Sequence, residues 1–224
     1  MKSIASRQNP WFKRVRDAMR EHAGEIVIEG PKQVADAVAA GWSPIVVVQF
    51  ADELLRAVAG TKTSQGVFGL FERPPSRFAD DKLVVALDGV QDPGNVGTIV
   101  RLAAAFDAGV ALLPGCADPF APKAIRASAG AILSVPIAEV SAQQLIETGR
   151  PLLFADARGV AAAPPRDAIL VLGSEGRGVS EEIREHGRAI AIKTTGRVES
   201  LNVAAAAAIL LWQAFGTPAS PPAG

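Results

Sequence analysis

The chain has 224 residues, 49% of them hydrophobic and 21% charged, which is the composition of a globular protein and excludes a disordered polar chain. Lysine plus arginine equals aspartate plus glutamate at 23 each, so the total charge identifies no nucleic-acid or membrane partner. The single cysteine, Cys116, rules out an intrachain disulfide and a cysteine-based zinc site, and the longest apolar run, 203–212, is half of the roughly 20 residues that a membrane span requires.

The opening segment SIASRQNPWFKRVRDAMREH predicts a turn at Asn9-Pro10 and then a basic helix, with Pro10 in the first turn where its missing N–H costs nothing. No apolar stretch follows these charges, so no signal peptide is expected and a reducing, cytoplasmic location is. Residues 1–77 carry eleven Lys/Arg against eight Asp/Glu, and residues 78–224 twelve against fifteen, so the charge is unevenly spread. Arg7, Lys13, Arg14, Arg16 and Arg20 are candidate contacts to phosphates. Residues 13, 16 and 20 share a helix face by their spacing, although such runs are commonly solvated faces. EIVIE (25–29) predicts a strand, Gly30-Pro31 a helix through Val38 ended by Gly41, and 45–50 and 67–71 two more strands. Arg73-Pro74-Pro75-Ser76 breaks this pattern and reads as a linker.

Beyond the linker, strands are predicted at 83–87, 109–113, 152–155, 169–172 and 189–192. Runs such as VVAL and ILVL are apolar on both faces, as in a parallel sheet covered by helices on both sides. The clearest helices are 95–106 and 201–215. The expected domains are therefore a small α/β unit at 1–75, a larger α/β domain at 76–216 and a disordered tail at 217–224.

Three segments stand where strands end, the edge at which open α/β sheets bind ligands. In DGVQDPGNVGTIVR (88–101), Asn95 is expected to cap a helix with Arg101 a turn or so inside it, reaching solvent, a carboxylate or a phosphate. LVLGSEGRG (170–178) spaces its glycines G-x-x-G-x-G, unlike a dinucleotide fingerprint, so a nicotinamide cofactor is not indicated. IKTTGRVESLNVAAAAA (192–208) offers Ser200 or Asn202 as the cap of a closely packed final helix. Each segment alone reads as an ordinary cap or glycine-rich loop. His22 and His186 are isolated, and no metal site is expected.

Together, Asn95 with Arg101, then GSEG, then SLNVA, resemble in order and spacing the three motifs of the SpoU family of RNA ribose 2′-O-methyltransferases, within the SPOUT superfamily. The resemblance covers residues 83–215, and PKAIRASAG (122–130), with Arg126 as a further RNA contact, also looks like family sequence. SRQNPWFKRV and IEGPKQVADAV are similar to the ribosomal-protein-like RNA-binding domain that precedes the catalytic domain in many members. The resemblance implies an α/β fold whose sheet carries a trefoil knot, which general topology rules would not suggest. It implies S-adenosylmethionine as cofactor, held by Leu172, Gly173, Ile192, Thr194, Thr195, Gly196 and Leu201, with a side chain at Gly173 intruding on the cofactor's space without unfolding the chain. It implies a reaction centre of Asn95, Arg101, Glu175, Ser200 and Asn202, a homodimer formed through the knotted domain, and a structured RNA substrate, ribosomal before transfer RNA. The family gives deprotonation to the motif-one arginine. An arginine stays protonated at nearly any pH, so stabilising an alkoxide or holding a phosphate is the role expected of Arg101. The alternatives are a non-catalytic RNA-binding protein of the same fold, against which Arg101, Glu175 and Asn202 argue, and a base methyltransferase, against which N-x-G-T-x-x-R argues.

Overall fold

The computed structural model describes residues 1–21, 24–58 and 64–215; the expected tail at 217–224 and His22 lie outside them. The elements begin with β1 (Lys2–Ile4), α1 (Pro10–Glu21), β2 (Glu25–Glu29), α2 (Pro31–Ala39), β3 (Pro44–Phe50), α3 (Asp52–Val58) and β4 (Val67–Glu72). There follow β5 (Val84–Asp88), α4 (Pro93–Ala105), β6 (Gly109–Leu112), α5 (Pro122–Ser128), a 3-10 turn (Ala131–Leu133), β7 (Ile137–Glu139) and α6 (Ala142–Glu147). The chain continues with β8 (Leu152–Ala161), β9 (Ile169–Gly173), α7 (Glu181–His186), β10 (Arg188–Ala191) and α8 (Val203–Phe215). Two compact units result, one of residues 1–75 with 118–134, the other of 76–117 with the chain from 135 onward. The return of 118–134 to the first unit was not visible in the sequence. No helix among the described residues is long and apolar enough to cross a membrane.

In the first unit a four-stranded sheet, ordered β1-β3-β4-β2, pairs β1 with β3 in parallel and its other strands antiparallel. Helix α1 opens as expected: the Asn9 side chain accepts from the Trp11 amide at 2.9 Å, and Pro10 follows the cap. Its Phe12 and Val15 are buried, and Phe12 meets Phe50 edge-on at 5.5 Å. Trp42 packs edge-on against both Phe71 and Phe120, and the Arg73 guanidinium pairs with Asp118 and lies over Phe120, which accounts for the return of residues 118–134.

The second unit is built on a six-stranded, wholly parallel sheet ordered β10-β8-β9-β5-β6-β7. Val84, Val85, Ala86 and Leu87 are all buried, as a strand covered on both faces requires. The predicted strands appear with ends moved by a residue or so, except that β8 runs on to Ala161. Three-residue β1 and β7 show no usable alternation, and their positions come from their partners, Ile4 opposite Phe50 and Val110 opposite Ile137.

One polar side chain ties the second unit together at the starts of two central strands. The Arg150 guanidinium donates to the carbonyls of Asp167 at 2.7 Å, Ala79 at 2.8 Å, Ala168 at 3.3 Å and Lys82, so it satisfies acceptors at the starts of β5 and β9 at once. Burial pulls its pKa down from the usual arginine value, yet it remains a cation. Replacing Arg150 by Met strands several partly buried carbonyls, and unfolding in urea should show a loss of about 3 kcal/mol at unchanged m-value. A loss below about 1 kcal/mol would mean that water replaces the guanidinium freely.

Candidate functional site

The site begins with strand register. β5 and β9 pair so that Leu87 faces Leu172 and Asp88 faces Gly173, which brings the first two motif loops out of the sheet side by side. They are stitched at once: the Ser174 amide donates to the Asp88 carbonyl at 3.1 Å, and the Ser180 amide to Asp88 Oδ2 at 2.6 Å. Between those points residues 174–178 form a tight loop, closed by the Gly178 amide on the Ser174 carbonyl at 2.9 Å. Gly178 has φ +68°, a conformation that glycine adopts freely.

Asp92, not Asn95, caps α4: its carboxylate accepts from the Asn95 amide at 2.9 Å, and Pro93 occupies the first helical turn. The expectation that Asn95 is the cap is thus corrected, because Pro93 starts the helix two residues earlier and leaves the cap to the aspartate. Asn95 is thereby freed to point its side chain elsewhere. Arg101 is consequently the ninth residue of α4, more than two turns in rather than one. It is exposed and has no hydrogen-bond or ion-pair partner among the described residues.

The three motifs meet at Asn95. Its Nδ2 donates to Glu175 Oε1 at 2.8 Å, and its Oδ1 accepts from Asn202 Nδ2 at 3.2 Å. Asn202 is oriented in turn by α8, because its Oδ1 accepts from the amides of Ala204 at 2.9 Å and Ala205 at 3.3 Å. Of the two expected caps of that helix, then, Asn202 serves and Ser200 does not. The network has one consistent direction, from helix amides through Asn202 and Asn95 to the Glu175 carboxylate. Each amide can be satisfied in only one orientation.

Beside this network lies a cleft of roughly 440 Å³, of the size that small-molecule ligands occupy. Leu172, Gly173, Ile192, Thr194, Gly196 and Leu201 line it, as do Glu175 and Ser200. Of the expected cofactor residues only Thr195 is not on its wall. The Gly173 expectation needs correction. A Cβ there would fall 2.1 Å from the Gly178 carbonyl carbon and 2.3 Å from the Val179 nitrogen, so a side chain disrupts the returning loop before it reaches any ligand. The sequence reading missed Asp156 and Arg184, both on the cleft wall. The signal was the charged DAR triplet interrupting the apolar run of β8. Cys116, half-buried, donates its thiol to the Leu87 carbonyl at 3.1 Å, and burial raises its pKa, which makes it a poor nucleophile.

The candidate RNA contacts separate into two groups. Arg14 is paired with Glu25 and lies over Trp11, and Arg16 is paired with Asp17 at 2.8 Å. Arg7, Lys13 and Arg20 are exposed and have no partner among the described residues. Arg126 lies on the wall of a second cleft, about 670 Å³, within the first unit, together with Lys32, Glu29 and Asp36, so that wall carries both signs of charge.

Asn202 thus has two jobs that substitution can separate. Asn202→Ala should cost about 1 kcal/mol of stability by removing the cap, whereas Asn202→Ser, which still caps, should cost a few tenths. Both variants lose the bond to Asn95. Thermal unfolding of the pair decides it, and equal losses would show that capping is not what Asn202 contributes to stability.

Comparison with known proteins agrees with this geometry. The model of the SpoU rRNA Methylase family matches residues 82–212, more than half of the chain. An uncharacterized tRNA/rRNA methyltransferase of Synechocystis is 31% identical over 95% of this chain and 93% of its own length. The 23S rRNA (guanosine(2553)-2′-O)-methyltransferase RlmP of Bacillus subtilis is 30% identical over 86% of this chain and 80% of its own. Among solved structures, the AdoMet-bound rRNA methyltransferase of Sinorhizobium meliloti superposes with a TM-score of 0.84 at 27% identity, covering 95% of this chain and 96% of that one. The chain belongs to the SpoU rRNA methylase family.

Proposed function

We propose that the chain transfers a methyl group from S-adenosylmethionine to a ribose 2′-hydroxyl of a structured RNA, ribosomal RNA first and transfer RNA next. The observation that carries this reading is the hydrogen-bonded chain Asn202–Asn95–Glu175, which joins all three motifs at the edge of the cleft. The cleft suits that cofactor. Leu172, Ile190, Ile192, Leu201 and Val203 offer apolar walls for an adenine, Gly173, Gly178 and Gly196 let the backbone come close, and charged side chains of both signs are present for its amino-acid end. When bound, the cofactor supplies a methyl group already activated by its sulfonium.

The chain's own residues then have to place and deprotonate a hydroxyl. Among Asn95, Arg101, Glu175, Ser200 and Asn202, Glu175 is the one side chain whose chemistry suits a proton acceptor. Its Oε1 is held by Asn95, and its Oε2 is assigned the hydroxyl proton. Arg101, cationic and without a partner among the described residues, stabilises the oxygen as it becomes negative or holds the adjacent phosphate. Ser200, on the cleft wall beside the Asn202 cap, helps to orient the ribose. The mechanism requires no metal.

We extend the reading to the whole chain. Residues 1–75, with 118–134 packed into the same unit, form an RNA-binding domain, supported by exposed Arg7, Lys13 and Arg20, and the rest of the domain expected at 76–216 is the SPOUT methyltransferase domain. A trefoil knot in the second unit is supported by its strand order, in which β9 lies between β5 and β8 while β10 passes to the far side of β8. A homodimer through this unit is supported by Ile209 and Trp212, which α8 leaves 36% and 59% exposed. The protein works in the cytoplasm, where both RNA and cofactor are found.

Three experiments test this. With labelled cofactor and ribosomal or transfer RNA, a methylated ribose leaves an alkali-resistant dinucleotide, and a product confined to bases would overturn the assignment. Arg101→Ala should lower methyl transfer by about 10²–10³-fold while cofactor affinity in calorimetry stays unchanged; retained turnover makes Arg101 structural. For RNA contact, the double variant Lys13→Glu, Arg20→Glu should weaken RNA binding and flatten its logarithmic dependence on salt by roughly 1.5–2. Equal slopes would remove α1 from the interface. Cutting at residue 77 is the poorer test, because residues 118–134 would lose the partners of Phe120 and Asp118.

A further inference from the structure

The part of the cleft wall that β8 supplies is built by an irregularity. β10 pairs with β8 at Arg188–Leu153 and Ala189–Phe154 and then jumps to Ile190–Val160, so residues 155–159 arch out of the ladder. The arch closes tightly, since a Cβ on Gly159 would sit 2.7 Å from Ala189 and Ile190 backbone atoms. An arch of this kind re-aims a side chain, and here Asp156 is turned onto the cleft wall.

The Asp156 carboxylate is fully engaged. Oδ1 accepts from the Arg158 amide at 2.9 Å and Nε at 3.2 Å, and Oδ2 accepts from Arg158 Nη2 at 3.1 Å and Arg184 Nη1 at 3.0 Å. Arg158, through its side chain and its amide, and then Arg184 hold this carboxyl far below the usual range. Asp156 is therefore a permanent anion with no bond left for a ligand, and two arginines outnumber it. Arg184 is the one of them on the cleft wall. Its Nε donates to the Val179 carbonyl at 3.3 Å, its guanidinium lies 5.6 Å from the Phe154 ring centre, and Nη2 has no partner among the described residues. That nitrogen approaches Gly178 so closely that a Cβ there would stand 2.8 Å away. A half-buried guanidinium, fixed on three sides and open on the fourth, is pre-organised for an anion.

We propose that Arg184 binds the α-carboxylate of the cofactor, with Asp156 as the positioning residue that aims it. The proposal rests on the cofactor reading above. The amino-acid end of that cofactor carries one carboxylate, and the guanidinium fork is the matching donor. Glu199 on the same cleft supplies the negative charge that its ammonium requires.

Calorimetry on the full-length protein tests this with two nonreactive ligands, S-adenosylhomocysteine and 5′-methylthioadenosine, which share the nucleoside thioether but differ in the amino-acid end. Arg184→Gln, which keeps a donor for the Val179 carbonyl, should lose about 10- to 100-fold in affinity for S-adenosylhomocysteine and bind methylthioadenosine as before. Arg184→Lys should recover part of the difference. Equal loss of both ligands would assign Arg184 to holding the loop, and no loss of either would leave it outside the site; each overturns the proposal. A wild-type protein that fails to bind S-adenosylhomocysteine would overturn the cofactor reading itself, and this one with it.

Discussion

Parallel pairing between β5 and β9 sets Asp88 opposite Gly173, and the site is assembled from that register outward. Side chains alternate between faces along a strand, so a slip of one residue would carry Asp88 away from the Ser180 amide and leave the 174–178 loop without its anchor. The register is secured from the opposite end of the same strands, where Arg150 binds carbonyls at the starts of both. A buried, apolar sheet supplies rigidity but little directionality. The directional bonds are at its two ends, one set to hold it and one set to act.

At the acting end, economy comes from residues with two partners. Asn202 satisfies amides at the start of α8 and, in doing so, is left with only its Nδ2 to offer Asn95. Asn95 then has only its own Nδ2 for Glu175. A helix terminus thus determines which atom of a distant carboxylate is occupied and which is open. Had Asn95 been the cap of α4, its Oδ1 would have been spent on a helix amide and the connection lost. Asp92 takes that duty, and Pro93 sets the helix start that lets it.

Charge is arranged locally in a chain whose total is zero. The basic helix α1 is less basic than its sequence, because Glu25 and Asp17 neutralise Arg14 and Arg16, and only Lys13 and Arg20, with Arg7 before the helix, are without a partner among the described residues. The cleft is the reverse. An apparently neutral DAR triplet becomes a wall with a surplus cation once Arg184 arrives from α7. Composition cannot register either outcome, since both depend on which side chains pair.

Read alone, the sequence determined the alternation of strands and helices, the two-faced apolar strands of a parallel sheet, and the three segments that carry chemistry. Those are local properties, expressed in periodicity and in residues such as Pro10 and Gly41 whose backbone preferences are strong. Motif order was enough to name Asn95, Glu175 and Asn202 together. Tertiary structure decided which of several competent residues caps each helix, that Arg101 lies two turns along α4, and that Gly173 is required by a returning backbone. It alone placed residues 118–134 with the first unit and raised the arch that brings Asp156 to Arg184. The last two join segments tens of residues apart, Arg73 with Asp118 and Arg184 with Asp156, and no window on the sequence holds both partners at once. The caps and the Gly173 contact lie within a few residues, where several local bonds compete and only the folded backbone decides which one is made.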